Sequence, residues 1–197
     1  VWLMGFRNAF RFLVRPGTGS HNPGEGNPGT LWIGDVGQDI WEELDVAPGP
    51  GLNFGWPIYE GFDVLAENPA DPENLDAPNP LFEAGVCDRP YFTFRELLQE
   101  ATQGTPLWPN PCDPGQQVPG SIPHFMHARP VIDWRHGGGP ARTGTFTGGA
   151  ASVRTIAAAG PPLPAPQFEG NCVIGGVWYQ GTDFPAEYRV TYFFADF

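Results

Sequence analysis

The 197-residue chain is poor in charged residues and lacks any long apolar run. Only 16% of its residues are charged, and 22 acidic residues outnumber 10 basic ones, which gives a formal net charge of -12. Because a surface with so little positive charge repels phosphate backbones, we expect no nucleic-acid partner. No stretch reaches the roughly 18 consecutive apolar residues of a membrane-spanning helix, so the sequence predicts no membrane span.

Glycine and proline, by contrast, are abundant, with 27 and 24 copies. Aromatic residues make up 14% of the chain. A composition this rich in apolar rings is not that of a disordered protein. Many short strands joined by loops would reconcile these two features. The composition therefore favours an all-β fold.

Short apolar segments separated by turn residues lie towards both ends of the sequence. The predicted strands are residues 11–14, 31–33, 43–46, 131–134, 173–179 and 189–194. We interpret the stretch at about 62–130, rich in Pro, Asn and Asp, as an insertion between strands. Within it, Thr93 and Glu96 form a capping box that predicts one short helix. A stiff linker is predicted at residues 160–166.

Three cysteines are present. Cys87 and Cys112 stand in similar Cys-Asp contexts within the insertion, which favours a disulfide between them over two unpaired thiols. Cys172 is then left over, either buried or paired with a group outside this chain. None of the three has the spacing of zinc ligands.

Four groups of segments carry the functional signal, and they occur in a fixed order. They are residues 5–12 (GFRNAFRF), residues 34–38 (GDVGQ) with 41–46 (WEELDV), residues 53–57 (NFGWP) with 60–61 (EG), and residues 175–181 (GGVWYQG) with 184–185 (FP) and 192–197 (YFFADF). In these segments the chain resembles the soluble glucose/sorbosone dehydrogenase family, six-bladed β-propellers whose characterised enzymes bind pyrroloquinoline quinone (PQQ) and calcium. It is also similar to Hedgehog-interacting-protein-like propellers. The resemblance implies that residues 1–197 are a fragment of one propeller domain, about two blades with a long loop-rich insertion.

The resemblance assigns the quinone-binding roles to Arg7 and Asn8. In the family, a matching Arg-Asn pair contacts PQQ, where positive charge would stabilise the reduced, anionic cofactor. The alternative is an Arg7 that pairs with a carboxylate such as Asp35. Phe10 stands where quinone-binding members commonly carry a glutamine, and a phenylalanine there also occurs in the Hedgehog-interacting-protein-like propellers.

Oxygen donors are dense in the second group of segments, and such hard ligands suit Ca²⁺. By resemblance, the backbone carbonyls of Gly37 and Gln38 bind the calcium that also holds the quinone. Glu43 and the carbonyl of Phe54 match a second, structural calcium, and Glu42 is a further candidate metal ligand. The alternative is that one or both glutamates are surface or salt-bridged carboxylates.

His136 matches a family position on a loop at the cofactor face, so the resemblance places it near the substrate. We assign no catalytic residue, because the family's general base lies on a blade outside the matching segments.

The expected function is therefore that of a fragment of a PQQ- and calcium-dependent soluble sugar dehydrogenase that oxidises aldoses, with a sugar substrate and an external electron acceptor as partners. The alternative is a non-catalytic extracellular propeller module that binds a protein or a glycan. The expected disulfide and the family's habits imply a secreted or periplasmic location. Because the sequence opens and closes on strand-like segments, we expect it to be an internal piece of a longer protein.

Overall fold

The computed structural model describes residues 1–65, 71–156 and 170–197, and the predicted linker at 160–166 lies outside them. β-Structure predominates in these ranges. The strands are β1 (Leu3–Met4), β2 (Ala9–Val14), β3 (Leu31–Asp35), β4 (Trp41–Ala47), β5 (Leu52–Asn53), β6 (Tyr59–Glu60), β7 (Asp63–Val64), β8 (Glu73–Pro78), β9 (Tyr91–Thr93), β10 (Leu98–Gln99), β11 (Pro109–Asn110), β12 (Asp113–Gln117), β13 (Phe125–Met126), β14 (Ile132–Arg135), β15 (Arg142–Thr147), β16 (Ala150–Thr155), β17 (Val173–Tyr179) and β18 (Thr191–Asp196).

Helical structure in the described ranges is limited to single turns. They are the α-helix α1 (Pro80–Glu83) and the 3-10 segments Pro23–Glu25 and Ala186–Tyr188. None of them has the length and apolar character needed to cross a membrane. The all-β prediction is confirmed.

Six strands form one antiparallel sheet in the order β16-β15-β14-β4-β3-β2. The strands β2 to β4 follow one another along the chain, and the sheet resumes with β14 only after residues 48–131. All six predicted strands overlap observed ones, whereas β15 and β16 were not predicted. Their turn holds Gly148 and Gly149, both at positive φ, which is the backbone of a tight two-residue hairpin loop.

The hairpin of β17 and β18 packs on one face of this sheet, which we call the hairpin face. Aromatic rings carry the contact: the ring centroid of Trp32 lies 5.2 Å from that of Trp178 and 5.1 Å from that of Tyr192. Gly34 permits the close approach, because a Cβ there would lie 3.0 Å from a methyl carbon of Val173. Two layers of β-structure thus share one core. None of the described sheets is closed.

The opposite face of the sheet, which we call the acidic face, packs against the N-terminal residues and the segment around Phe54. Its apolar part is a cluster of Leu31, Ile33, Ala47 and Phe54, and the ring of Phe6 stacks on that of Phe54 with centroids 4.6 Å apart. The N-terminal segment is tied there by the parallel pairing of β1 with β5.

The insertion has its own small core, formed by Ala77, Phe92, Leu97, Val118 and Ile122. The predicted disulfide between Cys87 and Cys112 is present and confirmed.

The capping box forms as expected, with the Thr93 amide donating to Glu96 Oε2 at 2.9 Å and the Glu96 amide donating to Thr93 Oγ1 at 3.3 Å. The predicted helix is wrong, because residues 94–97 make a turn that leads straight into β10. The two reciprocal hydrogen bonds stabilise a single turn. The residues that follow it pair as β10 with β13 instead of continuing a helix.

Candidate functional site

Arg7 and Asn8 lie directly beside the loop that begins at Gly37. Asp35, at the end of β3, accepts hydrogen bonds from the backbone amides of Arg7 at 3.0 Å and Asn8 at 2.6 Å. The Arg7 guanidinium donates to the carbonyl of Val36 at 3.1 Å, and the Val36 amide donates to the carbonyl of Asn8 at 3.1 Å. The structure therefore brings the predicted quinone pair and the predicted calcium loop together.

The alternative prediction for Arg7 was an ion pair with Asp35. In the structure, the hydrogen bond between them comes from the backbone amide of Arg7 and not from its guanidinium. The carboxylate of Asp35 takes the two amides, whereas the guanidinium bonds Val36 and lies 6.0 Å from the ring centroid of Trp56. The side chains of Arg7 and Asn8 are exposed. Both side chains are thus accessible to a ligand, and the guanidinium has further donors besides the one that bonds Val36.

Glu60 holds the loop in shape, and sequence reasoning gave it no such role. Its Oε1 accepts four backbone amides, from residues 38–41, at 2.9 to 3.3 Å. Gly37 is required at the start of the loop, because a Cβ there would overlap the carbonyl oxygen of Trp41. In a trans peptide the C=O points opposite to the N–H. The carbonyls of residues 37–40 therefore turn away from Glu60.

The acidic face carries a row of carboxylates on three neighbouring strands. Glu43 of β4 lies directly opposite Asp35 of β3 on one side and Asp133 of β14 on the other. Residues opposite each other share a face, as do residues two apart in a strand, so Asp45 lies on this face too. All four are buried, with at most 6% of each exposed. Asp133 is neutralised by Arg142, whose Nε donates to Asp133 Oδ1 at 2.9 Å.

Burial disfavours the ionised forms of these carboxyls. It raises the pKa of Asp35 to about 6, against the lowering effect of the two backbone amides. Burial first, and then the charge of Asp45, raise the pKa of Glu43 well above its ordinary value. The pKa of Asp45 is likewise raised, by burial and by the charge of Asp35. Neither oxygen of Asp45 has a hydrogen-bond partner among the described residues.

Glu43 and Asp45 fit a calcium ion in their chemistry. Two adjacent buried carboxylates, one without any partner, are costly unless a cation or protons neutralise them. No three His, Cys, Asp or Glu side chains within residues 1–65, 71–156 and 170–197 are arranged to hold a metal ion as they stand. A cation here would need carbonyl oxygens as further ligands, and mixed carboxylate and carbonyl ligation is usual for Ca²⁺. Phe54 lies on the same face.

Glu42 points to the hairpin face, away from its neighbour Glu43, so the two glutamates cannot share one ion. Its Oε1 accepts the Gly37 amide at 3.2 Å and lies 2.5 Å from Nε2 of His136. Its Oε2 accepts the Val173 amide at 2.7 Å. Burial raises the pKa of Glu42, while the bonds from Val173 and His136 oppose that rise. Through these contacts Glu42 links the Gly37 loop, the six-stranded sheet and the β17–β18 hairpin. The metal-ligand role of Glu42 stays a prediction.

His136 is held by its hydrogen bond with Glu42 and by its amide, which donates to the carbonyl of Ile40 at 2.9 Å. His136 therefore contacts the Gly37 loop directly at Ile40, and its ring is joined to the Gly37 amide through Glu42. Its predicted proximity to a substrate stays a prediction.

A polar cleft of about 250 Å³ opens beside the loop. Gln38, Asp39, Trp56, Pro57 and Glu60 are among the residues that line it. Gln38 and Asp39 are exposed, and Trp56 is only half-buried, so its ring is not fully enclosed in the core. With the Arg7 guanidinium near the Trp56 ring, the cleft has an aromatic wall and a polar rim.

Comparison with known proteins gives a partial similarity to a plant protein. The chain is 31% identical to the HIPL1 protein of Arabidopsis thaliana over 84 residues, which cover 42% of this chain. The matched residues make up 11% of that protein's length. No family model matches the chain, and no solved structure matches it significantly. The comparisons thus support a likeness to a Hedgehog-interacting-protein-like protein, and they do not support the glucose/sorbosone dehydrogenase family.

Proposed function

We propose that this chain belongs to a calcium-stabilised β-propeller of an extracellular protein, and that its polar cleft binds a carbohydrate without catalysing a reaction. The observation that carries the proposal is the convergence of Arg7, Asn8 and the Gly37 loop at one exposed edge beside Trp56. The partial similarity to HIPL1 supports the binding module over the enzyme.

The lining of the cleft suits a sugar. An indole ring offers a flat apolar surface with a polar edge, and sugars present flat apolar faces ringed by hydroxyls. Gln38 in the lining is an exposed amide that both donates and accepts hydrogen bonds. Arg7 and Asn8 do not line the cleft, but they are exposed beside the loop, and the rigid Arg7 guanidinium lies near the Trp56 ring. A volume of about 250 Å³ is enough for one sugar ring.

The propeller and the calcium ion are supported by separate observations. The packing of the β17–β18 hairpin on the face of a six-stranded sheet is the kind of contact that successive blades make. The unpartnered carboxylate of Asp45 beside Glu43 supports a cation on the acidic face. The disulfide between Cys87 and Cys112 supports an oxidising compartment outside the cytoplasm.

A glycan panel screened against the purified protein in the presence of Ca²⁺ tests the carbohydrate proposal. We expect saturable binding of at least one glycan, and Arg7→Ala should weaken it about tenfold, the effect of losing one hydrogen bond from a charged donor. Arg154→Ala is the matched control, since it removes the same charge from an exposed position on β16. Absence of glycan binding, or an equal effect of both substitutions, would argue against the cleft.

A second candidate is the quinoprotein sugar dehydrogenase, which the adjacency of Arg7-Asn8 and Gly37 favours. PQQ, when bound, would supply the two-electron oxidant for an aldose. Arg7 would then bind a cofactor carboxylate, and the outward carbonyls of Gly37 and Gln38 would hold a calcium ion.

Adding PQQ and Ca²⁺ to the full-length protein that contains this chain, and following dye reduction with a panel of sugars, tests this second candidate. Sugar-dependent reduction would establish the enzyme over the binding module. No PQQ binding and no reduction with any sugar would eliminate it.

A further inference from the structure

A second, larger pocket adjoins the polar cleft at Trp56. Its volume is about 480 Å³, and Trp56 and Pro57 line both it and the polar cleft. The insertion supplies most of its other walls, including Phe94 and Phe125.

Most of the residues that line this pocket are apolar. Leu97 and Leu98 are buried, with 4% and 5% exposed, while 47% of Phe94 is exposed. Few polar groups line it, among them Asp71, whose Oδ1 accepts the Arg95 amide at 3.0 Å, and Asn74. An apolar enclosure of this size with a few polar groups is typical of a small-molecule site.

Its chemistry differs from that of the polar cleft. With aromatic rings at Trp56, Phe94 and Phe125, the pocket matches a flat apolar ring, because offset and edge contacts between rings add to the gain from burial. The carboxylate of Asp71 and the net charge of -12 disfavour an anionic ligand. A neutral aromatic or alicyclic group fits best.

We infer that this pocket binds the apolar ring of a glycoside whose sugar occupies the polar cleft, with Trp56 as the shared wall. The assignment to a glycoside rests on the proposed carbohydrate function. The affinity of the pocket for an apolar ring rests on its own lining.

Matched pairs of methyl and phenyl glycosides of the same sugars, together with phenol alone, test the inference by ligand-detected NMR and calorimetry on the purified protein with Ca²⁺. We expect each bound sugar to bind at least about tenfold more tightly as its phenyl glycoside, since burying a ring contributes well over the free energy of a tenfold change in affinity.

Two substitutions locate the effect. Phe94→Ala should abolish the preference for phenyl, because it removes a wall without opening the buried core. Asn74→Phe, which fills the pocket from a half-buried position, should do the same if Phe94→Ala lowers the stability of the fold. Phe82→Ala is the matched control, because Phe82 is also an exposed phenylalanine of the insertion, at 45%, and lies outside this pocket.

The outcomes separate the inference from the function on which it rests. Equal affinity for methyl and phenyl glycosides overturns the pocket and leaves the carbohydrate proposal standing. Phenol bound in a Phe94-dependent manner, with no glycoside bound, supports the pocket and overturns the carbohydrate proposal. No binding of any probe overturns both.

Discussion

Asp35 connects the site to the pH dependence of stability. Its pKa is raised from 3.8 to about 6, so the folded protein retains a proton that the unfolded chain has already released. A group of this kind stabilises the fold fully below pH 3.8, and its contribution is lost as the pH rises through about 6. The ionised carboxylate therefore costs about 3 kcal/mol at neutral pH.

We predict that, in calcium-free buffer, the free energy of unfolding falls as the pH rises from about 4 to 7. Urea titrations at several pH values measure it. Asp35→Asn should make the dependence less steep, with the remaining slope coming from Glu43 and Asp45, whose pKa values are also raised. Asp39→Asn, at an exposed position of the nearby loop, should leave the dependence unchanged. A free energy that rises through this range would contradict a raised pKa of Asp35 in the folded protein.

The sequence was informative about residues that are neighbours in the chain or belong to a motif. Arg7 and Asn8 were predicted to share a cofactor with Gly37 and Gln38, and their bonds to Asp35 and Val36 place them next to the start of that loop. Glu60 was missed because the four amides that it binds lie about twenty residues earlier, in a segment that no local pattern connects to it.

Asp45 and Asp133 were missed as parts of a carboxylate row. The row exists only because β14 pairs with β4 across the whole insertion, and such a register is not readable from a single sequence.

At the scale of elements, the loop of residues 37–41 depends on one side chain. Four amides that point at one carboxylate oxygen would lose their acceptor together if Glu60 were removed. A buried amide without an acceptor costs about 1 to 3 kcal/mol, so the loop would open to water.

We predict that Glu60→Ala abolishes hydrogen-exchange protection at residues 38–41 while β17 and β18 stay protected. Exchange measured by NMR or mass spectrometry resolves the two regions. Glu25→Ala is the control, because Glu25 is exposed and its one side-chain bond is to Asn22. Unchanged protection in Glu60→Ala would mean that the loop is held by its own turn geometry.

The elements themselves were predicted where alternation and turn residues were clear. The strands β2, β3, β4, β14, β17 and β18 all coincide with apolar segments of the sequence. β15 and β16 were not predicted because their residues are mostly small and polar, so no apolar stripe marks them. Their Gly-Gly turn is also one of many glycine-rich turns in the chain. The short helix was wrong because a capping box predicts only the first turn.

At the scale of the whole molecule, apolar side chains are exposed on both outer surfaces of the layered sheets. On β2, 53% of Phe10 and 58% of Phe12 are exposed, and on the outer side of the hairpin so are 59% of Val177 and 52% of Phe184. Clusters of this kind in a soluble domain mark surfaces that pack against other protein.

We predict that the 197-residue chain alone self-associates at micromolar concentration, as seen by size-exclusion chromatography with light scattering. Replacing Phe12 and Val177 with serine should reduce the association, and Phe82→Ser, at another exposed apolar position, should not. A monodisperse monomer with a cooperative melt would refute the idea that these surfaces need a covering partner.

The buried carboxylates of the acidic face lie on three strands and support the exposed edge where Arg7 meets the Gly37 loop. The most direct test is calorimetric titration of the chelator-treated protein with CaCl₂, repeated on Asp45→Asn. We predict saturable Ca²⁺ binding that raises the melting temperature and is lost in Asp45→Asn, with Asp39→Asn behaving as the unsubstituted protein. Binding that is absent, or equally strong in Asp45→Asn, would contradict a calcium ion on this face.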